Sequence, residues 1–115
     1  MRVWVFESNL LWSARLLQTL RAIDLDAKVA ARVSEEMAEG DVAILNLGSS
    51  GVAGLAAELK QRGVKTLAHA GHKEKELLEL GRNVGIDRLA TNSELTFKLP
   101  ELLKELSASE PVSGT

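Results

Sequence analysis

The strongest constraint in this chain is a rhythm. Short apolar runs at Val3–Phe6, Ala27–Val33, Asp41–Asn46, Val64–Ala70 and Arg88–Thr91 alternate with longer stretches whose apolar residues recur at spacings of three and four. Val3-Trp4-Val5-Phe6 and Val42-Ala43-Ile44-Leu45 are apolar at every position rather than at every second one. A strand of that kind suits burial on both faces, which is the environment of a parallel sheet. From Leu10 to Ile23 the apolar sets Leu10, Ala14, Leu17 and Leu16, Leu20, Ile23 leave Arg15, Gln18 and Arg21 outside, an amphipathic helix that Ser8 or Asn9 can cap.

The same reading continues along the chain. A short acidic helix is expected between Ser34 and Gly40, and a third helix on Val52, Leu55, Ala56 and Leu59, ended by Gly63. A charged helix over 72–84 turns Leu77, Leu80, Gly81 and Val84 inward, and a last helix runs from Pro100 to Leu106. Alternation of this type implies right-handed crossovers and a parallel sheet with helices on both faces. Five strands fit the doubly wound, flavodoxin-like order 2-1-3-4-5. The chain has 115 residues, enough for one domain over 1–106, and 107–115, with Pro111 and Gly114, is expected to be a flexible tail.

Composition narrows the function classes. Hydrophobic residues at 45% can build a core, which argues against intrinsic disorder. Fourteen Lys and Arg against sixteen Asp and Glu, a formal charge of −2, disfavour a dedicated nucleic-acid binder. The absence of Cys removes disulfides, thiolate metal sites and a thiol nucleophile. No run approaches the ~20 apolar residues of a membrane span. Met1–Phe6 lacks a small-residue cleavage site, so a cytoplasmic protein without a signal peptide is expected.

In an open parallel sheet the ligand crevice lies beyond the carboxyl ends of the strands, beside the point where strand order reverses. Glu7 and Ser8, Asn46, His69 and Ala70, and Thr91 and Asn92 follow the first, third, fourth and fifth strands and are expected to share that rim.

Along this rim the chain resembles the CheY-like receiver domain of two-component response regulators. Asp41–Leu47 is similar to the family's third strand, with Asn46 where the phosphoacceptor aspartate belongs, and Gly54-Leu55 fall where the family opens its third helix. Val5-Phe6-Glu7-Ser8 resembles the first strand and its acidic pair, of which only Glu7 is acidic. In Ala68-His69-Ala70 a histidine takes the place of the switch Ser or Thr. In Gly85–Asn92, Asn92 replaces the family's lysine and Ser93 the proline after it, while Ser50 stands for the usual proline after the third strand. The resemblance implies a signalling module. Its departures imply a degenerate one, because phosphorylation needs a carboxylate nucleophile, carboxylates for Mg²⁺ and a cation on the phosphoryl group. A pseudo-receiver acting through protein–protein contacts, and not an enzyme, is the expectation. By the same resemblance a homodimer would use the fourth helix, fifth strand and fifth helix.

Rival readings attach to particular residues. Gly48-Ser49-Ser50-Gly51 could turn backbone N–H groups toward an anion, making a flavodoxin-like domain for a small phosphorylated ligand or nucleotide the alternative. The plainer reading is a tight strand-to-helix turn, and the pattern matches neither a Walker A loop nor a dinucleotide fingerprint. His69 is either a pH-sensitive switch element or a hydrogen-bonded strand-end residue. Glu7, His69 and His72 contain the donor types of an open zinc site, but a strand end and a helix start need not aim two rings at one point, and no metal or cofactor is expected. Trp12 is either an exposed anchor for a partner or a ring wedged against Leu16. The charged stretch His72–Glu76 with Glu79 reads as a solvated helix face.

Overall fold

The computed structural model describes residues 1–108. Five parallel strands, β1 (Arg2–Phe6), β2 (Asp26–Val29), β3 (Val42–Asn46), β4 (Lys65–Ala70) and β5 (Arg88–Thr91), form one sheet in the order β2-β1-β3-β4-β5. The helices are α1 (Leu10–Ala22), α2 (Val52–Gln61), α3 (Lys75–Asn83) and α4 (Asn92–Ala108). This is the doubly wound, flavodoxin-like arrangement that the alternating pattern implies.

Strand alternation divides the core in two. Val3, Val5, Val42, Ile44, Leu67 and Ala90 face α1 and α4, where they meet Leu16, Leu20, Leu95, Leu99, Leu102, Leu103 and Leu106. Trp4, Phe6, Ala43, Leu45, Ala68 and Ala70 face the other side, against Val52, Ala56 and Leu59 of α2, with Leu77 and Leu80 of α3 packed around them. Each strand of the centre is buried on both faces, which is why it carries no polar alternation.

The helix expected over 34–40 is not present. That segment is a series of turns, of which only Met37 is buried. One apolar anchor cannot offset the entropy of fixing two helical turns. β2 is also shorter than expected and stops at Val29. A third correction concerns the last helix, which starts at Asn92 rather than Pro100. Leu95, Leu99, Leu102 and Leu106 repeat at helical spacing, and the break falls at Lys98, with φ −125° and ψ 18°. Pro100 therefore lies in the first turn of the second half of a kinked helix, where its missing N–H is tolerated. Ser107 and Ala108 extend that helix past the expected domain end, and the rest of the expected tail, 109–115, lies outside the described residues.

At the amino-terminal floor of the sheet Asp41 ties three segments together. It accepts hydrogen bonds from the Arg2 N–H (3.2 Å), the Trp4 Nε1–H (3.0 Å) and the Ala38 N–H (3.1 Å). Burial pushes its carboxyl up, but the bonds from Trp4, Ala38 and Arg2, with the Arg2 charge, outweigh that and hold it below its ordinary 3.8.

Candidate functional site

Parity aims the rim residues before any contact is considered. Glu7 follows Val3 and Val5, Asn46 follows Val42 and Ile44, and His69 follows Leu67, so all three side chains point to the α1/α4 side at the carboxyl end of the sheet. Register places Asn46 opposite His69 on adjacent strands. Helix α1 begins just above, where Asn9 caps it by accepting the N–H groups of Leu11 (3.0 Å) and Trp12 (3.1 Å). That cap brings Trp12 over the rim, and its ring stacks on His69 with centroids 5.2 Å apart and planes 13° from parallel.

The result is a polar crevice of about 290 Å³, lined by Glu7, Asn9, Trp12, Asn46, His69, Ala70, Glu74 and Asn92. Glu7 and His69 are almost completely buried, at 6% and 3% exposed. Glu7 Oε2 accepts the Asn9 N–H (3.0 Å), and its Oε1 accepts from Asn46 Nδ2 (3.3 Å). Asn46 Oδ1 in turn accepts the Gly48 N–H at 2.9 Å. His69 Nδ1 lies 2.7 Å from Asn92 Oδ1, while its Nε2 stands 3.5 Å from Glu7 Oε1 without a hydrogen-bond partner. No Lys or Arg lines this crevice. Three cavities are larger: two, of about 450 and 350 Å³, lie at the opposite end, around Met1 and Ser107, and one of about 370 Å³ lies over the single segment Lys73–Leu77. The polar groups that converge from several elements are in the 290 Å³ crevice, which is the functional candidate.

Of the rim residues read from the sequence, the structure brings together Glu7, Asn46, His69 and Asn92. Ser8 is exposed and does not line the crevice. The loop Gly48, Ser49, Ser50 and Gly51 does not line it either, and the Gly48 and Ser49 N–H groups are both donated to Asn46. Gly51 has φ 76°, the left-handed conformation that the turn into α2 requires, with open space around its α-carbon. For the zinc trio, His69 and Glu7 converge, but His72 is exposed and outside the crevice. Among the described residues no group of three His, Asp or Glu side chains could hold a metal ion. Trp12 is half-buried and does more than wedge against Leu16, since it roofs the histidine. Sequence reasoning missed that stack and the place of Glu74 at the mouth. The signal for the first was the Asn9 cap, which fixes where the first turn of α1 sits.

The fold has a close counterpart among solved structures. The crystal structure of a response regulator receiver domain protein (CheY-like) from Methanospirillum hungatei JF-1 superposes with a TM-score of 0.73 over 92% of each chain, at 19% sequence identity. This chain has the receiver fold. No protein-family model matches the sequence, and no curated protein is detectably similar to it. In the receiver frame the absent 34–40 helix is the family's second, so the fourth and fifth helices of the expected dimer face are α3 and α4 here. Among the described residues no helix is long and apolar enough to cross a membrane.

Proposed function

We propose that this chain is a cytoplasmic receiver-like signalling domain that takes no phosphoryl group and acts by contact with another protein. The observation that supports this reading best is the state of Asn46, at the end of β3 where the resemblance puts the phosphoacceptor. Both ends of its amide are engaged, one with Glu7 and the other with the Gly48 N–H. A carboxamide is a poor nucleophile compared with a carboxylate. The rest of the site agrees. Glu7 is the one carboxylate at the inner end of the crevice, whereas Mg²⁺ takes hard oxygen donors and phosphate. Asn92, in place of the family's lysine, brings no charge and is spent on His69.

Contact surfaces are available on two sides. At the start of α1, beside the crevice, Leu10 and Leu11 are 82% and 80% exposed. The α3–β5–α4 face is the other, and a homodimer through it belongs to the same proposal. Glu7 and His69 are the acid–base pair of the crevice, and no Ser, Thr, Cys or Lys side chain lines it beside them to act as a nucleophile, which favours a role in binding.

The test is thermal shift and tryptophan fluorescence with Mg²⁺ and beryllofluoride, on the natural chain and on Asn46→Asp. No response in the natural chain is expected. A response there overturns the proposal, and a response confined to Asn46→Asp identifies Asn46 as the disabling residue. A gain of stability with phosphate or a nucleotide alone would favour a phosphorylated-ligand domain instead.

A further inference from the structure

Two lone pairs face each other in the most buried part of the crevice. With its Nδ1–H donated to Asn92 Oδ1 at 2.7 Å, a neutral His69 ring presents a bare Nε2 toward Glu7 Oε1, 3.5 Å away. Neither atom can donate, so the pair leaves Nε2 as a buried polar atom without a partner. Such an atom costs stability, and in a built site it points to something missing. A single proton would complete the contact. The gap exceeds a charge-assisted N–H···O distance by only ~0.7 Å.

We propose that His69 and Glu7 form a proton-operated switch whose output is the first turn of α1. This deepens the reading above and rests on it, since a proton on His69 takes the place of a phosphoryl group as the input. The neutral state is the one described: Glu7 is held by the Asn9 N–H and by a long contact with Asn46. In the protonated state the carboxylate closes on Nε2, and β1, β4 and α4 are joined through one chain of polar contacts, Glu7–His69–Asn92. Glu7 reaches α1 directly, because the backbone N–H it accepts belongs to Asn9, the residue that caps that helix. The Trp12 ring lies flat on the imidazole that gains the charge, so the same event changes a cation–π contact. Leu10 and Leu11, exposed on that turn, carry the change to the surface.

The groups facing His69 are acidic or neutral. From the β1 side the group facing His69 is Glu7, and from the segment before α3 it is Glu74, both acidic. β3 and α4 present the neutral amides of Asn46 and Asn92. Arg15 of α1 lies beyond Trp12, beside Thr19 and Leu95, and Glu94 of α4 is engaged with the Thr91 N–H and near Arg88. An imidazole is the side chain that changes charge between pH 5 and 8.

Trp12 makes the switch observable. Protonated imidazole quenches a stacked indole, so emission of the intact chain should fall through a single-proton transition as pH is lowered from 8 to 5, with no Mg²⁺ or beryllofluoride present. The transition should be lost in Trp12→Phe and in His69→Gln, persist in His72→Gln, and move to lower pH in Glu7→Gln. Imidazole ¹⁵N shifts of the unmutated chain read the same event without relying on a variant that folds. They should show the Nδ1–H tautomer at pH 8 and a doubly protonated ring at pH 5. A flat emission profile, a transition that survives His69→Gln, a Glu7→Gln curve that does not move, or an Nε2–H tautomer at pH 8 would each overturn the switch. None of these outcomes bears on whether Asn46 accepts a phosphoryl group, so the two readings fail separately.

Discussion

Asp41→Ala tests whether the floor of the sheet depends on one carboxylate. The substitution takes an acceptor from three donors, Trp4 Nε1 at 3.0 Å, the Ala38 N–H at 3.1 Å and the Arg2 N–H at 3.2 Å. Trp4 is 3% exposed, so its indole N–H is stranded, whereas the two backbone donors lie nearer the surface and can turn to water. A stranded buried donor costs about 1–3 kcal/mol and an ordinary lost bond about 0.5–1.5, which puts the whole at about 2–4 kcal/mol once rehydration is allowed for. For a chain of this length that is a fall in Tm of roughly 8–16 °C. Urea unfolding at neutral pH should show the midpoint moving with the slope unchanged. Asp41→Asn, which keeps one oxygen, should fall between. The pH dependence has a definite sign. Because the folded carboxyl sits below its ordinary 3.8, its contribution is complete above that value and is lost as pH falls through the folded value. The gap in stability between the natural chain and Asp41→Ala should therefore narrow in acid. A loss under about 1 kcal/mol at neutral pH, or a gap that does not narrow in acid, would refute this account of the floor.

Other variants probe the site and its supports. Asn9→Ala removes both bonds to the first turn of α1 and should cost about 1 kcal/mol, with a change in Trp12 emission, read by thermal unfolding and fluorescence. Gly81→Ala places a methyl against Leu89 Cδ2 and 3.3 Å from the buried Leu47 side chain, so it should destabilise. Gly54→Ala meets open space within a helix and should stabilise by about 0.5–1 kcal/mol. The opposite signs, read by chemical unfolding, are the check, and equal effects at the two glycines would contradict the packing of α3 onto the sheet.

The sheet was legible because its strands are apolar without alternation and the intervening helices have clear periods. Its carboxyl rim followed from topology, and parity then aims Glu7, Asn46 and His69 to one side. What local pattern could not supply is tertiary. Ser34-Glu35-Glu36 resembles a helix start, but whether a helix forms depends on how much of it the sheet can bury, and only Met37 is taken. Pro100 was visible as a helix-start signal, and the leucines on either side show that it starts a second half rather than a new element. Asp41 reads as the first residue of a strand, and two of its three donors, Arg2 and Trp4, lie 39 and 37 positions away, while Ala38 is in the turn just before it. The stack of Trp12 on His69 joins residues 57 positions apart and has no signature in either neighbourhood.

The margins of the sheet carry a consequence of their own. β2 and β5 are only four residues long, and β2 shows Asp26 and Lys28 to solvent. Arg88 of β5 is bound across to Glu105 of α4 at 2.7 Å, which lays a charged strap beside that border. Short, charged borders discourage the strand-to-strand stacking that leads to fibres and sheet-extended oligomers. The very apolar centre is thus guarded against self-templating at the two borders of the sheet.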